Sequence, residues 1–316
     1  MKKVILLLAA ACCVYQHGFA MGKEKERELV STFLWSDILA LPQDKRPKIA
    51  LVLGGGGARG LAHIGVLKVL EQESIPIDMV VGTSVGALVG ALYCAGLSIS
   101  EIEQLGERTG WNKLSDISTA ALVKLLVAEE LLSSARMEKY LEGYLGGKRF
   151  EDLNIPFACV ATDIQTGEKI IFKEGEVLIA IRASSTVPGL FKPVEYRHRF
   201  LVDGGLVDNT PTDIAKLMGA DIIIAVTLKA DFSKFSLDNV LKILNQSIFI
   251  QGMVIDKELL KLADMVITPE LVDISAIDLW KSKECMDAGE IAARKSAEEL
   301  KNMIIGRTMK KIYGQQ

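Results

Sequence analysis

Lys48-Ile49-Ala50-Leu51-Val52-Leu53-Gly54-Gly55-Gly56-Gly57-Ala58-Arg59-Gly60 runs from an apolar, β-branched segment into a cluster of glycines. Leu61 to Leu70 then continues with apolar residues at Ile64, Leu67, Val69 and Leu70. Strand, tight turn and helix in succession is the arrangement by which open α/β sheets present chemistry at the carboxyl ends of their strands. The pattern recurs at Met79-Val80-Val81-Gly82-Thr83-Ser84-Val85-Gly86, where a buried strand leads into a helix over Val85 to Cys94. A third apolar run, Phe200-Leu201-Val202, ends in Asp203-Gly204-Gly205.

The second of these segments is a G-x-S-x-G element. A serine in a sharp strand-to-helix turn exposes its hydroxyl, and the flanking glycines remove Cβ atoms that would clash there. The helix N-terminus beneath it favours developing negative charge. Ser84 is therefore the candidate nucleophile. A tight βα turn with a helix-capping serine gives the same match, since the chain holds 27 glycines.

The first glycine run suits an oxyanion hole, because backbone N–H groups at such a junction form a concavity for an anion and Arg59 adds fixed positive charge. Gly55, Gly57 and Gly60 also satisfy the dinucleotide fingerprint G-x-G-x-x-G. That fingerprint wants an acidic residue near the end of the second strand to hold a ribose. Here the second strand ends in Gly82-Thr83-Ser84 and Asp78 lies at its beginning, so a nucleotide-binding oxidoreductase is the disfavoured alternative.

A Ser-His-Asp triad of the α/β-hydrolase type needs a histidine after the acid. The three histidines are His17, His63 and His198, and none follows Asp203. A carboxylate can itself accept the serine proton when partial desolvation raises its pKa. Asp203, at a strand end on a tight turn, is placed to do so, although an Asp-Gly turn of no chemical consequence has the same sequence.

Gly55-Gly56-Gly57-Ala58-Arg59-Gly60, Gly82-Thr83-Ser84-Val85-Gly86 and Asp203-Gly204-Gly205, in this order, resemble the motifs of the patatin-like phospholipases. Arg182-Ala183-Ser184-Ser185-Thr186-Val187-Pro188-Gly189-Leu190-Phe191-Lys192-Pro193 and Leu206-Val207-Asp208-Asn209-Thr210-Pro211 look like further blocks of bacterial members. The resemblance spans about Lys48 to Leu228. It implies a lipid acyl hydrolase with a Ser-Asp dyad, Ser84 as nucleophile and Asp203 as base, with Gly55, Gly56, Gly57 and Arg59 around the oxyanion hole. A lipid-binding protein that keeps the fold without catalysis is the remaining rival.

At 316 residues with 49% hydrophobic content the chain can bury one large α/β core. Net charge −3 gives no argument for nucleic acid, and no zinc-type Cys/His spacing is present. Cofactor independence is the expectation, with a lipid or lysolipid as substrate and peripheral membrane contact.

Lys2-Lys3, the apolar run Val4 to Val14 and the small residues of Gly18-Phe19-Ala20 read as a signal peptide over 1–20, cleaved after Ala20. Lipoprotein processing at Cys12 and a retained anchor are the alternatives, and each makes the chain an exported or membrane-associated protein. Cys94, Cys159 and Cys285 then remain, an odd set that implies no disulfide framework. Residues 21–47 read as a charged, solvated lead-in, 48–228 as the catalytic core and 229–316 as a mostly helical continuation of the same domain.

Strands are expected at Ile49 to Leu53, Met79 to Val81, Phe157 to Thr162, Lys169 to Lys173, Phe200 to Val202, Ile222 to Leu228 and Met265 to Ile267. They form a mostly parallel central sheet covered by helices on both faces, with Lys169 to Lys173 antiparallel to Phe157 to Thr162. Thr119 to Leu132 and Leu237 to Leu262 are apolar enough to be core helices or membrane-facing elements. Glu284 to Ile304 has amphipathic helical spacing and precedes a basic tail at Lys310-Lys311.

Overall fold

A computed structural model of the chain describes residues 23–108, 141–189, 191–228, 240–274 and 279–314. Its strands and principal helices are, in chain order, α1 (Lys23–Leu39), β1 (Ile49–Leu53), α2 (Ala62–Gln72), β2 (Met79–Thr83), α3 (Val85–Cys94), α4 (Ile99–Arg108), β3 (Phe157–Asp163), β4 (Lys169–Phe172), α5 (Val177–Ser184), β5 (Val194–Tyr196), β6 (Arg199–Asp203), α6 (Thr212–Leu217), β7 (Ile222–Val226), α7 (Val240–Leu259), β8 (Met265–Ile267) and α8 (Ser282–Tyr313). The expected helix at Thr119 to Leu132 and the segment 1–20 lie outside the described residues.

The strands form one mixed sheet in the order β5-β6-β3-β2-β1-β7-β8, with β4 also paired to β3. From β3 to β8 every neighbouring pair is parallel, whereas β4 and β6 run antiparallel to β3, and β5 antiparallel to β6. Every residue of β1, β2, β3 and β7 is buried. Continuous apolar strands of this kind need cover on both faces. Alternation along the strand supplies two apolar surfaces. Ala50, Val52, Val81 and Val160 pack with Ile214 and Ala215 of α6, while Leu53 and Val80 meet α3, where Gly90 faces both of them.

Register does the decisive positioning. Leu53, the last residue of β1, lies beside Gly82 of β2 and Val226 of β7, so the glycine run after β1 and Ser84 after β2 emerge at the same edge. Val160 of β3 pairs with Thr83, and its neighbour Ala161 pairs with Asp203. Consecutive residues of β3 therefore set the residue before Ser84 and Asp203 itself side by side.

Two features differ from the sequence expectation. The three-residue strand β5 was not anticipated; it follows Pro193, which cannot donate to a ladder, and it pairs with β6 alone through a turn at Arg197 and His198 with φ of 49° and 62°. Residues of the charged lead-in form helix α1, in which Trp35 and Ile38 are buried. Those two side chains give the segment an apolar contact surface that its charge run masks.

The chain divides into two compact units, Lys48–Glu298 and a second made of residues 1–47 with 299–316. The sheet and all residues discussed as a site belong to the first. In the second, Ser31 hydrogen-bonds Asn302 at 3.4 Å and Lys311 donates to the Arg46 carbonyl at 2.9 Å. Among the described residues no helix is long and apolar enough to cross a membrane.

Candidate active site

Ser84 occupies the turn between β2 and α3 with φ 56° and ψ −126°. A non-glycine residue in that region of backbone space costs about 1–3 kcal/mol and persists only where its surroundings hold it. Close packing at Gly86 is part of what holds it: a Cβ there would collide with the Leu53 carbonyl oxygen, so glycine lets the start of α3 rest on the end of β1. Ser84 is 7% exposed, and its side chain draws the Asp203 carboxyl pKa down.

Asp203 ends β6 and caps the turn that follows, its Oδ1 accepting the Gly205 N–H at 2.8 Å. Burial pushes its pKa up to about 6, against the Ser84 hydroxyl and the Gly205 N–H, which draw it down. The carboxyl is thus ionised at neutral pH yet far more basic than an exposed aspartate, the condition for a proton acceptor.

The glycine run approaches the same point. A Cβ on Gly55 would lie 3.2 Å from Ser84 Cβ and 2.5 Å from Asn209 Oδ1, so only a residue without a side chain lets the loop come this close to Ser84. The Gly55 N–H is committed to the Asn209 carbonyl at 3.1 Å, which leaves the N–H groups of Gly56 and Gly57 as the donors of this run without a partner among the described residues. Arg59 is buried, and its Nε donates to the Gly56 carbonyl at 3.3 Å. Burial lowers the guanidinium pKa to about 10, and the side chain braces the loop by that bond.

Neither described histidine adjoins the Ser84 hydroxyl and the Asp203 carboxylate as a base. His63 is fully buried with Nε2 2.7 Å from the Gly54 carbonyl oxygen, and burial lowers its pKa to about 4. His198 stands exposed in the β5–β6 turn, at the opposite end of β6 from Asp203. Asp78 accepts the Ile49 N–H at 2.8 Å at the beginning of β1 and β2, away from the glycine turns where a ribose acid would be needed. Cys94 and Cys159 are free and buried, and burial pushes both thiols up.

Sequence reasoning missed a supporting network. Asp256 of α7 accepts Asn209 Nδ2 and the Thr210 hydroxyl, each at 3.1 Å, and Asn209 in turn binds the Gly55 N–H through its carbonyl. Asp256 is buried, burial raises its pKa, and its Oδ1 has no partner among the described residues. An acid directly after the apolar run Met253-Val254-Ile255 was the available signal. On the other side, Lys169 of β4 bridges Asp208 at 2.9 Å and Asp213 at 2.6 Å, while the Asp208 carbonyl accepts the Thr83 hydroxyl at 2.9 Å. Asp208, pushed by burial to about 7 despite Lys169, ties the segment after Asp203 to the strand that carries Ser84.

Residues 51–216 match the family model described as patatin-like phospholipase. Over 181 residues, 56% of this chain, the sequence is 38% identical to patatin-like phospholipase domain-containing protein 6 of Mus musculus, of which that stretch is 13%. Over 188 residues, 58% of this chain, it is 38% identical to an uncharacterised NTE family protein of Mycobacterium tuberculosis, of which the match covers 49%. The chain thus spans at most about half the length of these curated relatives. Among solved structures, VipD from Legionella pneumophila aligns with 82% of this chain and 67% of its own at a TM-score of 0.50 and 13% identity, a likeness of fold.

Proposed function

Because the chain belongs to the patatin-like phospholipase family, we propose that it is a serine lipid acyl hydrolase of the phospholipase A, lysophospholipase or esterase type. The observation that carries this reading is Ser84, held on a strained strand-to-helix turn and set beside the buried Asp203 by consecutive residues of β3. Ser84 Oγ attacks the ester carbonyl while Asp203 takes its proton. The N–H groups of Gly56 and Gly57 receive the oxyanion. Collapse of the tetrahedral intermediate expels the alcohol, which recovers the proton from Asp203 and leaves an acyl-enzyme. Water, deprotonated by Asp203, then releases the fatty acid.

The naming of its relatives as patatin-like phospholipases supports a phospholipid as the substrate class, with a lysophospholipid as the related alternative. Peripheral contact with a lipid surface belongs to the same proposal, supported by exposed Ile243, Ile250, Met253 and Val254 on α7. Export by the segment 1–20 is also proposed, and N-terminal sequencing of the fractionated protein tests it; an intact Met1 on a cytoplasmic product would refute it.

Ser84→Ala tests the central claim. The variant is expected to keep the fold and lose both fluorophosphonate labelling and hydrolysis of short-chain esters. Undiminished hydrolysis would sink the assignment, and a lipid-binding role without catalysis would be indicated by a folded parent chain that binds lipid yet never labels.

A further inference from the structure

We propose that Ser184 and Ser185 are positioning residues that hold the Ser84 peptide in register with Asp203, a role that rests on the hydrolase reading above. Their hydroxyls engage both polar groups of the residue 84 backbone. Ser184 Oγ accepts the Ser84 N–H at 3.0 Å, and Ser185 Oγ donates to the Ser84 carbonyl at 3.2 Å. The next residue reaches the other partner, since the Thr186 carbonyl accepts the Asp203 N–H at 2.8 Å. Three consecutive residues at the end of α5 are thus bonded to the backbones of both reacting residues.

The grip is anchored to the sheet. Ser184 Oγ donates to the Val160 carbonyl at 2.6 Å, and Val160 and Ala161 are the β3 residues that register Thr83 and Asp203. The Thr186 hydroxyl donates to the Arg182 carbonyl at 2.7 Å, closing the turn that follows α5. A circuit therefore runs from β3 through Ser184 to Ser84, and back through Asp203 and Thr186.

Ser84 needs such a grip. Its N–H precedes α3 and has no intrahelical acceptor, and its φ and ψ lie where an unsupported residue would relax. Ser184 is fully buried, so removing its hydroxyl leaves the Ser84 N–H without its acceptor and the Val160 carbonyl without that donor. The peptide then has cause to rotate, and rotation carries Oγ away from Asp203. A misplacement of about 1 Å in a reacting group is enough to cost about a hundredfold in rate.

The test compares the full parent chain with Ser184→Ala, Ser185→Ala and Ser185→Thr, using a short-chain p-nitrophenyl ester, a fluorophosphonate probe and thermal melting. Ser184→Ala is expected to lower kcat and the labelling rate at least about tenfold with KM within about twofold. Its acid limb in kcat/KM should also move to higher pH, because the Ser84 hydroxyl no longer draws the Asp203 carboxyl down. Ser185→Ala should lose about three- to tenfold in kcat, and Ser185→Thr, which keeps the hydroxyl at a half-buried position, should stay within about twofold of the parent. A merely structural pair of serines would lower the melting temperature without moving the acid limb or separating threonine from alanine.

Alanine variants with the parent's kcat and acid limb overturn the clamp while leaving the hydrolase reading intact. A parent inert to ester and probe overturns both. Should Ser184→Ala fail to fold, the Ser185 pair decides: equal kcat for alanine and threonine refutes the proposal.

Discussion

At Ser84 and Asp203 the proposed chemistry follows from opposing local effects whose sizes can be compared. Desolvation is the largest influence on the Asp203 carboxyl, and hydrogen bonds from Ser84 and Gly205 offset only part of it, leaving the pKa at about 6. The base must be ionised to accept a proton, so kcat/KM is expected to rise with pH and level off above an acid limb near 6. A limb near 4, as for an exposed aspartate, would refute the assignment of Asp203 as base. The same burial has a thermodynamic sign. A carboxyl whose folded pKa lies above its unfolded value favours the folded state below the unfolded pKa, and that stability is lost as pH rises through the folded pKa. Asp203→Asn removes the buried charge, so its melting temperature relative to the parent should be higher at pH 7.5 than at pH 4.5, while hydrolysis falls about a hundredfold or more. His198→Asn, at the far end of β6, should retain most activity; a dead but folded His198→Asn beside an active Asp203→Asn would overturn the histidine-free mechanism.

Among the elements, those whose shape is dictated by their own residues were legible from sequence. The β1 and β2 turns show as runs of glycine, although what Gly55 and Gly86 make room for is Asn209 and the Leu53 carbonyl, and β1 and β8 have the expected bounds, as does α3 at Val85–Cys94. The antiparallel pairing of β4 with β3 was expected as well, and the two strands are joined by a turn at Gln165-Thr166-Gly167. What escaped depends on pairs distant in the chain. Ser184 is 100 residues from Ser84 and Asp256 is 47 from Asn209, and no local period announces either bond. The role of α7 is a case in point: its sequence reads as an apolar helix, yet Gly252 faces the Gly205 carbonyl and Asp256 holds Asn209 and Thr210. Asp256→Leu should leave the Asn209 amide and the Thr210 hydroxyl without that acceptor, at a cost of about 1–3 kcal/mol. Because Asn209 also fixes the Gly55 peptide, kcat is expected to fall at least about tenfold. Stability lost with kcat unchanged would limit Asp256 to packing.

For the molecule as a whole, the proposed lipid substrate has to reach a serine that is 7% exposed. Helix α7 has two unlike faces. Gly252 and Asp256, one turn apart, face the Asp203 turn and the Asn209 segment, whereas Ile250 and Val254, also one turn apart and on the opposite side, are 49% and 66% exposed, with Ile243 two turns earlier at 46%. An apolar stripe on the back of a helix that braces the site is suited to dip into acyl chains. Transferring an apolar side chain of this size from water is worth about 1.5–3 kcal/mol when complete, so partial insertion of two such residues changes vesicle partitioning by about tenfold or more. The double substitution Ile250→Gln, Val254→Gln keeps helix propensity and touches neither Ser84 nor Asp203. It should therefore leave turnover of a soluble short-chain ester within about twofold while lowering hydrolysis of phospholipid in vesicles at least about tenfold. Equal loss on both substrates would mean that the stripe supports the fold, and no loss on vesicles would mean that lipid enters by another face.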